Sequence, residues 1–242
     1  MHFNNFTSNV LPTILVGVFI TKDTSLSVLE AFTYSWEANK NKFKNMNMKP
    51  FFVLGYDNKH HFFHSHTYIL KMHENMNEGK TFFWFRKAVE IFKNEKIPYH
   101  PKNGIVKMDT DCVVDWKYFD QYIIQDLPLH YYFGKREYFK DCGYGVLFPP
   151  SFCSSLPHPM HWIWMQGGFY GINLNVAQSL MQCSFAQKIK NGYEDVITGL
   201  WITLCYKSKI KIKHMEPNYF YCHSKSLTPK HIRNQSFLDI CH

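Results

Sequence analysis

The chain has 242 residues, 45% of them apolar and 19% charged. That is enough to bury one ordinary core, and it excludes a disordered or collagen-like chain. The net charge is +8, yet among 27 basic residues only Arg86, Arg136 and Arg233 are arginines. Sequence-specific nucleic-acid readers rely on bidentate arginine, so a solvated lysine surface that attracts anions fits better.

The elements follow in chain order. Residues 1–12 read as a loose arm, and 13–20 as a strand apolar on both faces. Leu26, Leu29, Phe32, Thr33 and Trp36 recur at helical spacing, which predicts a helix over 25–39 capped by Thr24 or Ser25. A Lys/Asn loop leads to a second buried strand, Pro50 to Gly55. Residues 57–66 carry four histidines (60, 61, 64 and 66) without acidic or Cys partners at ligand spacing, and read as a polar loop. A short strand is predicted over 68–71 and a helix over 80–93, with Phe82, Phe85, Val89 and Phe92 on one face.

Strands are then predicted over 104–108 and 129–134, a Gly/Pro/Ser/Cys-rich loop over 141–159, and an aromatic, glycine-rich segment over 162–172. Asn173 caps a helix through 181, another helix covers 195–206, and 207–213 alternates as an edge strand. Strands alternating with helices predict an α/β fold, a central mostly parallel sheet flanked by helices in one domain, with 227–242 as a tail.

The 10–20 run is interrupted by Pro12, Thr13 and Gly17. It falls short of the roughly 18 apolar residues of a membrane helix, and it has no basic start of a signal peptide. A soluble, cytoplasmic protein without leader or anchor is the expectation. None of the seven cysteines forms a C-x-x-C pair, so reduced thiols in a cytosolic or virus-factory compartment are expected, with one bridge such as Cys142 to Cys153 left open.

Four segments can carry chemistry. Val106-Lys-Met-Asp-Thr-Asp-Cys-Val-Val114 places Asp109 and Asp111, two apart, at the end of an apolar strand. Strand alternation sends both to one side, and the carboxyl ends of strands are where open α/β sheets bind ligands. Two carboxylates there suit Mg²⁺ or Mn²⁺ with a diphosphate. Trp164-Met-Gln-Gly-Gly-Phe-Tyr-Gly171 offers close backbone approach at Gly167 and Gly168 beside aromatic faces. Gly192-Tyr-Glu-Asp-Val-Ile-Thr-Gly199 opens a helix with Glu194 and Asp195, which either complement its dipole or supply a base. Phe220-Tyr-Cys-His-Ser224 presents His223.

This series, in this order, resembles glycosyltransferase family 31, the β1,3-galactosyltransferase, N-acetylglucosaminyltransferase and fringe group. The resemblance covers roughly residues 13–226. It includes Phe51-Phe-Val-Leu-Gly55, Lys80-Thr81, the acidic triplet Asp109-Thr110-Asp111, Gln166-Gly-Gly-Phe-Tyr-Gly171, and the Glu194-Asp-Val-x-x-Gly199 block as its most specific match. Thr110 replaces the family's middle Asp, and of the first helix's Arg-and-Trp pattern only Trp36 is kept.

The resemblance implies a GT-A fold and inverting, metal-dependent transfer from a UDP-sugar to a glycan or glycoprotein hydroxyl. It implies Asp195 as base with Glu194 in reserve, and Asp109, Asp111 and His223 toward Mn²⁺ or Mg²⁺. Thr21, Lys22, Lys80, Thr110, Gly167 and Gly168 would border the donor, with Lys80 neutralising an acidic neighbour. Two rivals are a nucleic-acid-modifying glycosyltransferase and an inactive sugar-binding module.

Overall fold

The computed structural model describes residues 10–59, 67–139, 162–190, 192–206, 210–215, 220–223 and 228–234. The histidine loop at 60–66, the 141–159 loop with Cys142 and Cys153, Ser224 and most of both termini lie outside the described residues.

Nine strands are described: β1 (Thr13–Phe19), β2 (Asn47–Gly55), β3 (Thr67–Leu70), β4 (Gly104–Asp109), β5 (Cys112–Val114), β6 (Tyr131–Phe139), β7 (Trp162–Asn173), β8 (Lys211–His214) and β9 (Tyr221–His223). The helices are α1 (Leu26–Asn39), α2 (Lys80–Asn94), a helical segment α3 over 116–126, α4 (Leu174–Gln182), α5 (Ser184–Lys188), α6 (Glu194–Cys205) and α7 (Pro229–Asn234). Seven strands form one sheet in the order β3-β2-β1-β4-β7-β6-β8, and β5 and β9 form a separate ribbon. β1 to β4 run parallel, β7 runs antiparallel to both β4 and β6, and β8 rejoins β6 in parallel. The fold is thus mixed α/β on a mostly parallel sheet, as expected.

Alternation along β1 explains why it is apolar throughout. Leu15 and Phe19 enter a core under α2, α4 and α6. Ile14, Val16 and Val18 enter a second core under α1 and α3. Gly17 lies where the Trp84 ring of α2 crosses the strand; a Cβ there would stand 2.4 Å from that ring. The ring is pinned by its Nε1–H, which donates to the Val106 carbonyl at 3.1 Å.

Boundaries shift where pairing extends a strand. β2 begins before Pro50, which is tolerated because its outer neighbour β3 starts only opposite Phe52. β6 runs to Phe139, not Gly134, because β7 continues to pair with it past an irregularity between Gly134 and Arg136. β4 pairs with β7 only over Phe169–Asn173. The β7 residues 162–165 pair with β6 beyond that point, so the β6–β7 ribbon projects past the carboxyl ends of β1 and β4.

The expectation of reduced thiols is corrected. Cys183 and Cys205 form a disulfide with Cα atoms 5.6 Å apart. Cys183 ends α4 and Cys205 ends α6, and these helices pack together, so a proximity that spacing cannot display arises from the fold. Cys112 and Cys222 are free and buried in the β5–β9 ribbon. No helix among the described residues is long and apolar enough to cross a membrane.

Candidate active site

Parallel strands end together. Phe19 of β1 is in register with Val53 of β2 and with Asp109 of β4. Thr21, Lys22, Asp109, Thr110 and Asp111 therefore share one edge of the sheet. β7 runs the other way, so Gly167 and Gly168, just before Phe169, reach the same edge. α2 and α6 both begin there, with Lys80 and Glu194.

The centre of this edge is Lys107, whose role no sequence motif marks. Its ammonium is fully buried and pairs with Asp109 at 2.8 Å and Glu194 at 2.7 Å. It also donates to the Gly167 carbonyl and faces the rings of Phe19 and Tyr170 at 5.5 and 5.7 Å. Burial works to lower its pKa, but the two carboxylates outweigh burial and leave it raised. The sequence held a usable signal: a lysine inside a strand buried on both faces must find anionic partners.

Glu194 is almost fully enclosed. One carboxylate oxygen takes Lys107; the other accepts from Thr81 Oγ1 at 2.5 Å and Tyr170 Oη at 2.6 Å. Thr198 Oγ1, one turn along α6, donates to the Glu194 carbonyl at 2.6 Å. Asp195, the next residue, is half-buried, and its Oδ1 accepts from the Val196 amide at 2.8 Å. Its other oxygen stands against Gly167, 3.1 Å from where a Cβ would lie. Burial and the neighbouring Glu194 charge raise its pKa to about 6. A carboxyl so placed ionises near neutrality and remains a competent base. Thr81 and Tyr170 stood inside recognised segments, but pattern alone gave them no role.

Toward β2 and β3, Lys80 is fully buried and bonds the Glu74 carboxylate and the Ile20 carbonyl. The acidic group paired with Lys80 is Glu74. It also accepts from the Gly55 amide at 2.6 Å. Lys22 is exposed and pairs with Asp57 at 3.1 Å. Thr21 and Thr24 hydroxyls lie 3.2 Å apart, closing the turn after β1.

Thr110 and Asp111 form the turn after β4, and both are half-buried. Cys112, next in line, is the register partner of His223 across the β5–β9 ribbon. The ribbon thereby carries the backbone of His223 beside the acidic triplet. The residues fit a hard divalent cation on the chemistry of their donors. Among the described residues the buried Asp109 Oδ1 meets no donor besides the Lys107 ammonium, 2.8 Å away. Among the described residues no ready-made group of three or more His, Cys, Asp or Glu is assembled for a metal. A site with few protein ligands suits a cation that takes its remaining ligands from substrate phosphates and water.

No family profile and no curated protein matches the chain. Similar solved structures include a glycosyltransferase involved in glycosylation of the major capsid of PBCV-1, at 10% identity, covering 95% of this chain and 100% of that one, with a TM-score of 0.42. They also include the galactosyltransferase LgtC in complex with donor and acceptor sugar analogues (11% identity, 78% and 70% covered, TM-score 0.34). An active-site mutant of LgtC is similar at 13% identity, with 83% and 72% covered and a TM-score of 0.37. Likenesses of this size assign neither activity nor substrate to the chain.

Proposed function

We propose that the chain is a metal-dependent inverting glycosyltransferase, akin to family 31, moving a sugar from a UDP-sugar to a hydroxyl of a glycan or glycoprotein, in a β1,3 linkage. One observation carries this reading. The acidic triplet, the Gly167-Gly168 segment and the Glu194-Asp195 block lie far apart in sequence, yet meet at one sheet edge around Lys107.

In this reading Thr21 and Lys22 border the nucleotide at the end of β1. Asp111, Asp109 and His223 would hold Mn²⁺ or Mg²⁺, which when bound offsets the charge of the departing diphosphate. Asp195 takes the proton of the acceptor hydroxyl as its oxygen attacks the anomeric carbon opposite the diphosphate. The new carbon–oxygen bond forms, the bond from that carbon to the diphosphate oxygen breaks, and its electron pair leaves on UDP. Gly167, lacking a side chain, leaves room beside Asp195 for the acceptor.

The deciding experiment screens UDP-sugars for Mn²⁺-dependent release of UDP, with and without simple sugar acceptors. Release is expected for at least one donor, and Asp111→Asn should abolish it in a folded protein. An Asp111→Asn variant with undiminished, metal-stimulated release overturns the metal assignment. Sugar binding without turnover of any donor would instead mark an inactive module.

A further inference from the structure

Glu194 and Asp195 are adjacent carboxylates in one helical turn, and Glu194 has no free side for a substrate. Its oxygens are taken by an ammonium and two hydroxyls from three different elements: β4 (Lys107), α2 (Thr81) and β7 (Tyr170). The same Lys107 ammonium grips Asp109 and the Gly167 carbonyl. One buried cation thus touches the donor-side acid, the acceptor-side glycine and the anchor of the base helix.

We infer that Lys107 and Glu194 are positioning residues that lock Asp195 at a fixed distance from the acidic triplet; Glu194 is the anchor and never the base. The inference rests on the glycosyltransferase reading for its catalytic meaning, but the clamp itself is geometric. Successive helix residues point about 100° apart. Pinning Glu194 inward therefore sets the direction of Asp195, and a loss of about 1 Å in placement costs on the order of 10²-fold in rate. The groups that face Asp195 are Glu194 on its own helix, Lys107 from β4, Tyr132 from β6 and the Gly167 backbone of β7.

The test compares wild type, Glu194→Gln and Lys107→Met by thermal unfolding, calorimetric binding of UDP with Mn²⁺, turnover of the donor found in the screen, and carboxyl NMR titration of Asp195 without ligand. Glu194→Gln keeps the shape of the side chain and removes its charge. It should fold, bind UDP–Mn²⁺ within about threefold of wild type and leave donor KM unchanged, while kcat falls about 10- to 100-fold. Its Asp195 should ionise at lower pH than in wild type. Lys107→Met should weaken both UDP–Mn²⁺ binding and kcat; if it does not fold, Glu194→Gln decides alone. A folded Glu194→Gln with full kcat, or with Asp195 titrating as in wild type, overturns the inference. A wild type that binds no UDP–Mn²⁺, alongside a shifted Asp195 in Glu194→Gln, overturns the nucleotide-sugar reading and upholds the clamp.

Discussion

Asp195 carries a sharp expectation. Asp195→Asn keeps the size of the side chain and the Val196 contact but cannot accept a proton, so turnover should drop by roughly 10²-fold or more with donor affinity little changed. Single-turnover kinetics check this. In wild type, activity should rise with pH along a limb set by a carboxyl of pKa about 6, because only the ionised form is a base. The raised pKa also means that the folded chain holds a proton which the unfolded chain has lost between about pH 4 and 6. On that account stability falls as pH rises through this window. A pH–rate profile with no acid limb between pH 5 and 7 would argue against Asp195. At Gly167 the margin is narrow: a methyl group would lie 3.1 Å from one Asp195 oxygen and 3.4 Å from Glu194. Gly167→Ala should reduce kcat about tenfold or more while the melting temperature moves little, since the atoms that yield are carboxylate tips. The acidic pairs were legible in the sequence because they punctuate apolar runs. The Lys107 link was not, because it joins residues that only the meeting of β4, β7 and α6 makes neighbours.

The elements were legible wherever one period dominated. The β1 strand, the α2 helix with its phenylalanine face, and the Asn173 cap, whose side chain accepts from the Asn175 amide at 2.9 Å, all stand close to their expected limits. What failed were strand ends in β2 and β6, which depend on a neighbour's length and not on local residues; the expected start of β8 at 207 lies outside the described residues. The final glycine of the Glu194-Asp-Val-x-x-Gly199 block gains a physical meaning here. A Cβ on Gly199 would stand 2.4 Å from the Ile163 carbonyl and 2.7 Å from Trp164 Cβ. α6 therefore lies directly on the β7 backbone, and Trp162 Nε1 reaches across to the Val196 carbonyl at 3.0 Å. Gly199→Ala must lift the helix. It should cost about 1–3 kcal/mol, as overpacking does, and should lower activity by moving Asp195. Chemical denaturation together with turnover measures both effects.

For the whole molecule, the parallel half of the sheet was foreseeable from its buried strands. The reversal at β7 was not, because the connection from β6 passes through 140–161, where composition gives no direction. The disulfide was equally invisible. It closes a stretch of 22 residues that contains Glu194 and Asp195, and by loop-closure entropy such a link contributes about 3 kcal/mol. Reduction with dithiothreitol should therefore lower the melting temperature by roughly 6–12 °C for a chain of this size. The Cys183→Ser/Cys205→Ser variant should match the reduced wild type. A melting curve indifferent to reductant would show that the bond does not form in solution.

The β6–β7 ribbon that overhangs the sheet edge also carries α6, the helix of Asp195, through Gly199 on the Ile163 carbonyl and Trp162 on Val196. In this reading, wall and base are one rigid piece. Adaptation to a new acceptor is then channelled. A backbone change in the ribbon would re-aim Asp195 and forfeit turnover before any new specificity appeared. The open route is exchange of exposed side chains on an unmoved frame, at positions such as Gln166 and Tyr193. Variation among related chains should accumulate there while the ribbon's path stays fixed.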